Sequence, residues 1–232
     1  MCWSMGASIA ATALGGAATV YAVKKKVPKE RAFALGFFTF MELLQAVSYL
    51  WIGQCDLSAN KFLTYLGFIH IAFQIPVANA FMLSFVSKKT RKKWYKPVMI
   101  ASFIGTFLML TKLVVPLLWD APREWMCKIG DPLCGTDACT YKGNWHLAWR
   151  LPLFGYGPSS ASIYFGLVFI LPILYGNWRI SAFHFIFGPL LAYVVTMNSN
   201  EAAAVWCLFS IVIICSIFTP LKTWFETPMR KK

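Results

Sequence analysis

With 232 residues, 58% of them hydrophobic and 13% charged, and a mean hydropathy of +0.59, the chain departs from a soluble domain, which has about 45–50% apolar and roughly 25% charged residues. These values exclude a water-soluble globule, and 17% aromatic residues exclude a disordered chain. A net charge of +13 would suggest nucleic acid in a soluble protein, but membrane topology accounts for the basic residues more simply.

A transmembrane helix needs about 20 mostly apolar residues. Seven such runs occur, at roughly 5–23, 32–53, 62–86, 97–118, 159–175, 180–197 and 202–221. They predict an all-α, multi-pass membrane protein: a seven-transmembrane-helix bundle forming a single domain over 1–232. The first run has no basic residue before it and three lysines after it, the reverse of a cleaved signal peptide. It reads as an anchor with its N-terminus outside, with residues 1–4 packed on the outer face. Its many glycines and alanines, with Ser8, suit close helix packing, not a site.

Loop charge sets orientation. Lys24, Lys25, Lys26, Lys29 and Arg31, then Lys88, Lys89, Arg91, Lys92, Lys93 and Lys96, then Arg179, and finally Lys222, Arg230, Lys231 and Lys232 fall on one side. They make up 16 of the 22 basic residues, so that side is expected to be cytoplasmic, with the C-terminus there and the N-terminus outside. Contact with anionic membrane lipids is the expected partnership of these runs, with no nucleic acid. The membrane is a plasma membrane or an endomembrane.

The one long outer loop, 119–158, holds Cys127, Cys134 and Cys139; Cys55 and Cys2 are outside as well. Disulfides persist on that side. Five candidates give two bridges and one remaining thiol, with Cys55 joined to the long loop and a second bridge within or near it. Zinc is the alternative use of these thiols, although their spacing lacks a C-x-x-C pair. Cys207 and Cys215 read as small apolar residues. The stretch 143–150, with Trp145 and His146, is either an interfacial aromatic segment or a lid with His146 pointing into the bundle.

Ionisable residues inside spans are functional candidates. Glu42, His70, His184 and Lys112 stand out, accompanied by Gln45 and Gln74. At 1.5 Å per residue, Glu42 lies about 16 Å, His70 about 12 Å and His184 about 20 Å below the outer edge. His70 and Gln74 share a helical face, as do Glu42, Gln45 and Tyr49. Pro76 and Pro189 each forfeit a backbone hydrogen bond nearby. A polar pocket lined by spans two, three and six and open to the outside is the expectation.

Several chemistries suit such a pocket. His70, His184 and Glu42 are a plausible first shell for zinc or another divalent metal, with Glu42 and His70 catalytic and a metal-activated water attacking a lipid or small amphiphile. A single haem between His70 and His184, a transporter or receptor pocket for a small ligand or protons, and a helix-gluing polar network are the alternatives. Lys112 either snorkels outward or pairs with Glu42. Asn79 is expected to bridge helices, and Glu201 to complement a helix N-terminus. There is no retinal lysine in the last span, no phosphate loop and no serine elbow.

Met1-Cys2-Trp3-Ser4, Met41-Glu42-Leu43-Leu44-Gln45 and Trp145-His146 resemble a family of small seven-helix membrane proteins catalogued as a domain of unknown function. The resemblance covers most of the chain and imports no activity. It implies that Cys2, Trp3, Glu42 and His70 belong to a common site.

Overall fold

The computed structural model describes residues 4–226 apart from Asp120, so the expectations for Cys2, Trp3 and the 1–3 segment lie outside the described residues. Among the described residues, six helices are long and apolar enough to cross a membrane: α1 (Met5–Lys24), α2 (Lys29–Trp51, its last turn 3-10), α3 (Ser58–Leu83), α4 (Lys88–Leu118), α6 (Trp178–Val195) and α7 (Ser199–Phe218, ending in a 3-10 turn). The fifth apolar run is shorter than its sequence suggested. Helix α5 (Ser160–Leu174) extends about 22 Å, against a hydrocarbon core of about 30 Å. A short α8 (Leu221–Glu226) follows α7.

Helix α2 is the hub, packing on α1, α3 and α7. Its contact with α1 works through small residues. Among the α1 side chains, Ser8, Gly15 and Ala22 are buried, a spacing of seven that keeps them on one stripe. A Cβ on Gly15 would stand 2.2 Å from Thr39 Oγ1, so only glycine admits α2 this closely. The rest of α1 is exposed apolar surface, including Leu14, Val20 and Val23.

Breaks in the helical ladder become tertiary anchors. Pro76 has no N–H for the Ala72 carbonyl, which instead accepts from Thr106 Oγ1 on α4 at 2.9 Å. Pro116 likewise frees the Lys112 carbonyl, which accepts the Phe154 N–H from the long loop at 2.8 Å. Helices α5 and α6 each contain a π-helical turn, at Gly166–Ile170 and Ile186–Leu190. Near the first, Leu167 O accepts from Asn79 Nδ2 (3.0 Å) and Phe169 O accepts from Ser181 Oγ (2.6 Å). Asn79 therefore bridges helices, as its buried position in the sequence implied.

The long loop folds over one end of the bundle as an antiparallel hairpin, β1 (Cys139–Lys142) paired with β2 (Leu147–Arg150), with Thr140 opposite Trp149. Disulfide Cys55–Cys139 ties it to the α2–α3 turn, and Cys127–Cys134 closes a local loop. Both bridges have the arrangement the cysteine count suggested. Asn60 at the start of α3 locks the same edge. Its Nδ2 donates to Trp51 O and Thr140 O, both at 2.8 Å, and its Oδ1 accepts the Thr140 N–H at 2.9 Å. At the other end, Arg31 pairs with Glu226 at 2.7 Å and Arg91 pairs with Glu30.

The two bridges close loops of very different length, 84 against 7 residues. Chain entropy gives about 4–5 kcal/mol for the longer and about 2 kcal/mol for the shorter. Replacing Cys55 and Cys139 together by serine should therefore lower the thermal midpoint of the purified protein clearly more than replacing Cys127 and Cys134, measured side by side in one detergent.

Candidate functional site

Beneath the hairpin lies a cluster built around one carboxylate. Glu201, in the first turn of α7, is fully buried. Its Oε2 accepts the Asn144 N–H (3.2 Å), its Oε1 the Trp145 N–H (2.6 Å) and the His146 N–H, while Thr196 Oγ1 donates to Oε2 at 2.6 Å. Three successive amides at the hairpin tip thus form an anion-binding nest filled by the chain's own carboxylate. Gly143 is required beside it, because a Cβ there would sit 2.5 Å from the Glu201 carboxyl carbon.

This clamp aims His146 into the bundle. The imidazole is buried; its Nε2 is 2.5 Å from Gln45 Oε1 and its Nδ1 is 2.7 Å from the Tyr49 hydroxyl. The Gln45 oxygen can only accept, so Nε2 carries the proton and Nδ1 accepts from Tyr49. The stretch 143–150 therefore covers this end of the bundle with His146 inward, while the Trp145 ring stays half-exposed. Burial pushes the His146 pKa down to about 4, against a smaller upward pull from the Glu201 charge.

One α-helical turn below Gln45, Glu42 is completely buried and neither of its oxygens has a hydrogen-bond partner. Ser8 Oγ of α1 faces it without meeting hydrogen-bond geometry, and Cys207 of α7 lies within electrostatic range. His70 turns elsewhere. Its Nε2 donates to Phe37 O at 2.9 Å, its ring stacks on Phe37 with centroids 4.0 Å apart, and its Nδ1 accepts from Gln74 Nε2 at 3.4 Å. His184 Nε2 accepts from Trp206 Nε1 at 3.3 Å.

Glu42, His70 and His184 thus face separate neighbours, and neither the expected three-ligand metal set nor the two-histidine haem seat is assembled. Among the described residues, one trio has ligand atoms close enough to share a metal: Cys55, Asp137 and Cys139. Its sulfurs are joined in a disulfide and Asp137 is held by Arg150 at 2.8 Å, so the oxidised protein offers no free ligand set there. Lys112 does not pair with Glu42. Its ammonium reaches the loop, donating to Phe154 O (3.2 Å) and Tyr156 O (2.9 Å).

A separate cavity of about 70 Å³ opens between α3, α4, α5, α6, α7 and the loop. Its deeper wall carries Gln74, Tyr164, Trp206 and Cys207. Tyr164 donates to Gln74 Oε1 at 2.9 Å, and Gln74 Nε2 donates to Cys207 Sγ at 3.7 Å. Nearer the hairpin, the Ser160 hydroxyl is buried with no partner. The remaining wall is mainly apolar, with Ile71, Met109, Leu133 and Phe165. Of the anticipated pocket residues, Gln74 lines this space. Gln45, Tyr49 and His146 form the lid cluster instead. Ser160, Tyr164 and Trp206 were not singled out from sequence, although Ser160 and Tyr164 stand four apart on one face of an otherwise apolar run.

The lid should be acid-sensitive. Between pH 6.5 and about 4 the unfolded chain protonates His146 while the folded chain does not. Stability contributed by this group is therefore present above the ordinary histidine range and falls on acidification, by about 3 kcal/mol in all. The thermal midpoint should drop over that interval, and His146→Gln should flatten the drop. Removing the clamp with Glu201→Ala should destabilise by about 1–3 kcal/mol, chiefly by leaving the buried His146 amide unsatisfied, as read by thermal unfolding at neutral pH.

No curated protein matches the chain, and no solved structure does. A family model matches residues 6–226, nearly the whole chain and every spanning helix described above. The protein belongs to the family of unknown function DUF5765.

Proposed function

We propose that this protein is a seven-span membrane protein, N-terminus outside and hairpin lid outside, that binds a small amphiphile inside the bundle as a non-catalytic transporter or receptor. Helix α5 serves as the seventh crossing, its shortness met by the loop that descends to Lys112. Charge supports the orientation, because the hairpin end carries the disulfides while the opposite end carries the basic runs. With that polarity, an impermeant maleimide added from outside labels Thr136→Cys and not Lys92→Cys.

The observation that carries the binding reading is the cavity. It measures about 70 Å³ and lies between five helices, and its wall is apolar with a few placed polar groups, the lining of a small-molecule site. No ionised side chain lines it. Gln74 and Tyr164 satisfy each other and Ser160 remains open, so the occupant is mostly apolar with a polar head directed towards Ser160. The hydrolytic alternative lacks a base to activate the Ser160 hydroxyl or the Cys207 thiol, since no carboxylate or imidazole lines this cavity.

Radiolabelled oleyl alcohol should bind the purified protein saturably. Ala203→Trp, which fills the cavity from α7, should weaken that binding at least about tenfold, the loss of roughly 1.4 kcal/mol. Absence of saturable binding, or unchanged binding in a folded Ala203→Trp protein, would overturn the proposal.

A further inference from the structure

Lys112 is a cation without a counter-charge. It is 6% exposed, its side chain uses two of its three N–H donors on loop carbonyls, and no described carboxylate pairs with it. Buried charges are ordinarily paired, so an unpaired ammonium here is an incomplete arrangement.

Lys112 lines a second hollow, of about 40 Å³, together with Cys127, Leu153, Phe154 and Ser159. This hollow and the larger cavity share Pro132, Ser160 and Ala161 as a common wall. Ser160, on that shared wall, is 7% exposed and its hydroxyl lacks a partner. It also begins α5, whose first-turn amides have no acceptor inside the helix and whose dipole favours negative charge. Ser159 Oγ already accepts the Ser162 N–H at 3.0 Å, leaving the Ser160 hydroxyl and the Lys112 ammonium as the unfilled donors. The one acidic group on this hollow, Asp131, is exposed and makes no ion pair with Lys112.

We infer that the paired hollows take a single-chain amphiphile with an anionic head, the head held by Lys112 and Ser160 and the tail lying in the apolar cavity. This rests on the cavity reading above and adds the charge of its occupant. A carboxylate there would supply the counter-charge that Lys112 lacks and accept from Ser160. A phosphate monoester head offers the same chemistry.

The test compares displacement of radiolabelled oleic acid from purified protein by unlabelled oleic acid, lysophosphatidic acid and oleyl alcohol. A charge-assisted hydrogen bond predicts that at least one anion competes about tenfold or more better than the alcohol. Whichever anion competes better names the head. Lys112→Met should bring acid and alcohol within about twofold while oleyl alcohol still binds, and Ser160→Ala should narrow the gap less. If Lys112→Met fails to fold, Lys112→Gln and Ser160→Ala give the same comparison.

Equal displacement by both anions and the alcohol in the unaltered protein, or a preference that survives loss of Lys112, overturns the inference while leaving the cavity reading standing. So does a lower thermal midpoint in both Asp131→Asn and Lys112→Met with the acid-to-alcohol ratio unmoved, since Asp131 is then the counter-charge. Failure of every amphiphile to bind removes both.

Discussion

The architecture turns on a single buried carboxylate meeting three backbone amides. Glu201 stands in the first turn of the last long helix, and the amides belong to a hairpin tip that precedes it by more than fifty residues. A charged acceptor in a dry site forms strong hydrogen bonds, and donors left without it would be expensive to bury. The hairpin therefore sits where Glu201 holds it, and His146, Gln45 and Tyr49 are aligned as a result. The Asn60 contacts and the Cys55–Cys139 bridge secure the other edge of the same hairpin. The lid is fastened at two places to different helices, so it acts as a rigid plate and not as a loose loop.

The same economy governs the spanning helices. In a membrane every backbone group must find a partner within the protein, so a proline or a π turn leaves a carbonyl that something must meet. Here Thr106, Ser181, Asn79 and the Phe154 amide meet them. Irregular backbone is thereby converted into specific contact between helices that otherwise present similar apolar faces to one another. The π turns of α5 and α6 also leave these helices unevenly wound beside the cavity, where Phe165 and Pro189 form part of its wall.

Much of this was legible in the residues. Apolar runs of the right length, separated by charge, located the long helices, and cysteine placement on one side suggested the two bridges. Small residues in the first run announced a packing helix, which Gly15 against Thr39 bears out. The site was read less well, for a geometrical reason. Depth along a helix follows from residue number, but the direction of a side chain around the helix relative to its neighbours depends on packing. Glu42, His70 and His184 have similar depths yet face α1 and α7, Phe37, and Trp206 respectively. Glu201 was explained too locally. A helix N-terminus accounts for an acid in that position, but nothing nearby in sequence shows that its partners come from residues 144–146. The cavity escaped notice because its polar groups are a serine and a tyrosine in a run that otherwise reads as plain membrane helix.

The placement of Glu201 also orders the assembly of the protein in time. The ribosome makes the hairpin long before it makes the residue that fastens it, and the Cys55–Cys139 bridge needs only chain already synthesised. One edge of the plate can thus be stapled early, while the other stays open until α7 has been synthesised. A chain halted before that point has no acceptor for the three tip amides, so its hairpin is fastened at one edge alone.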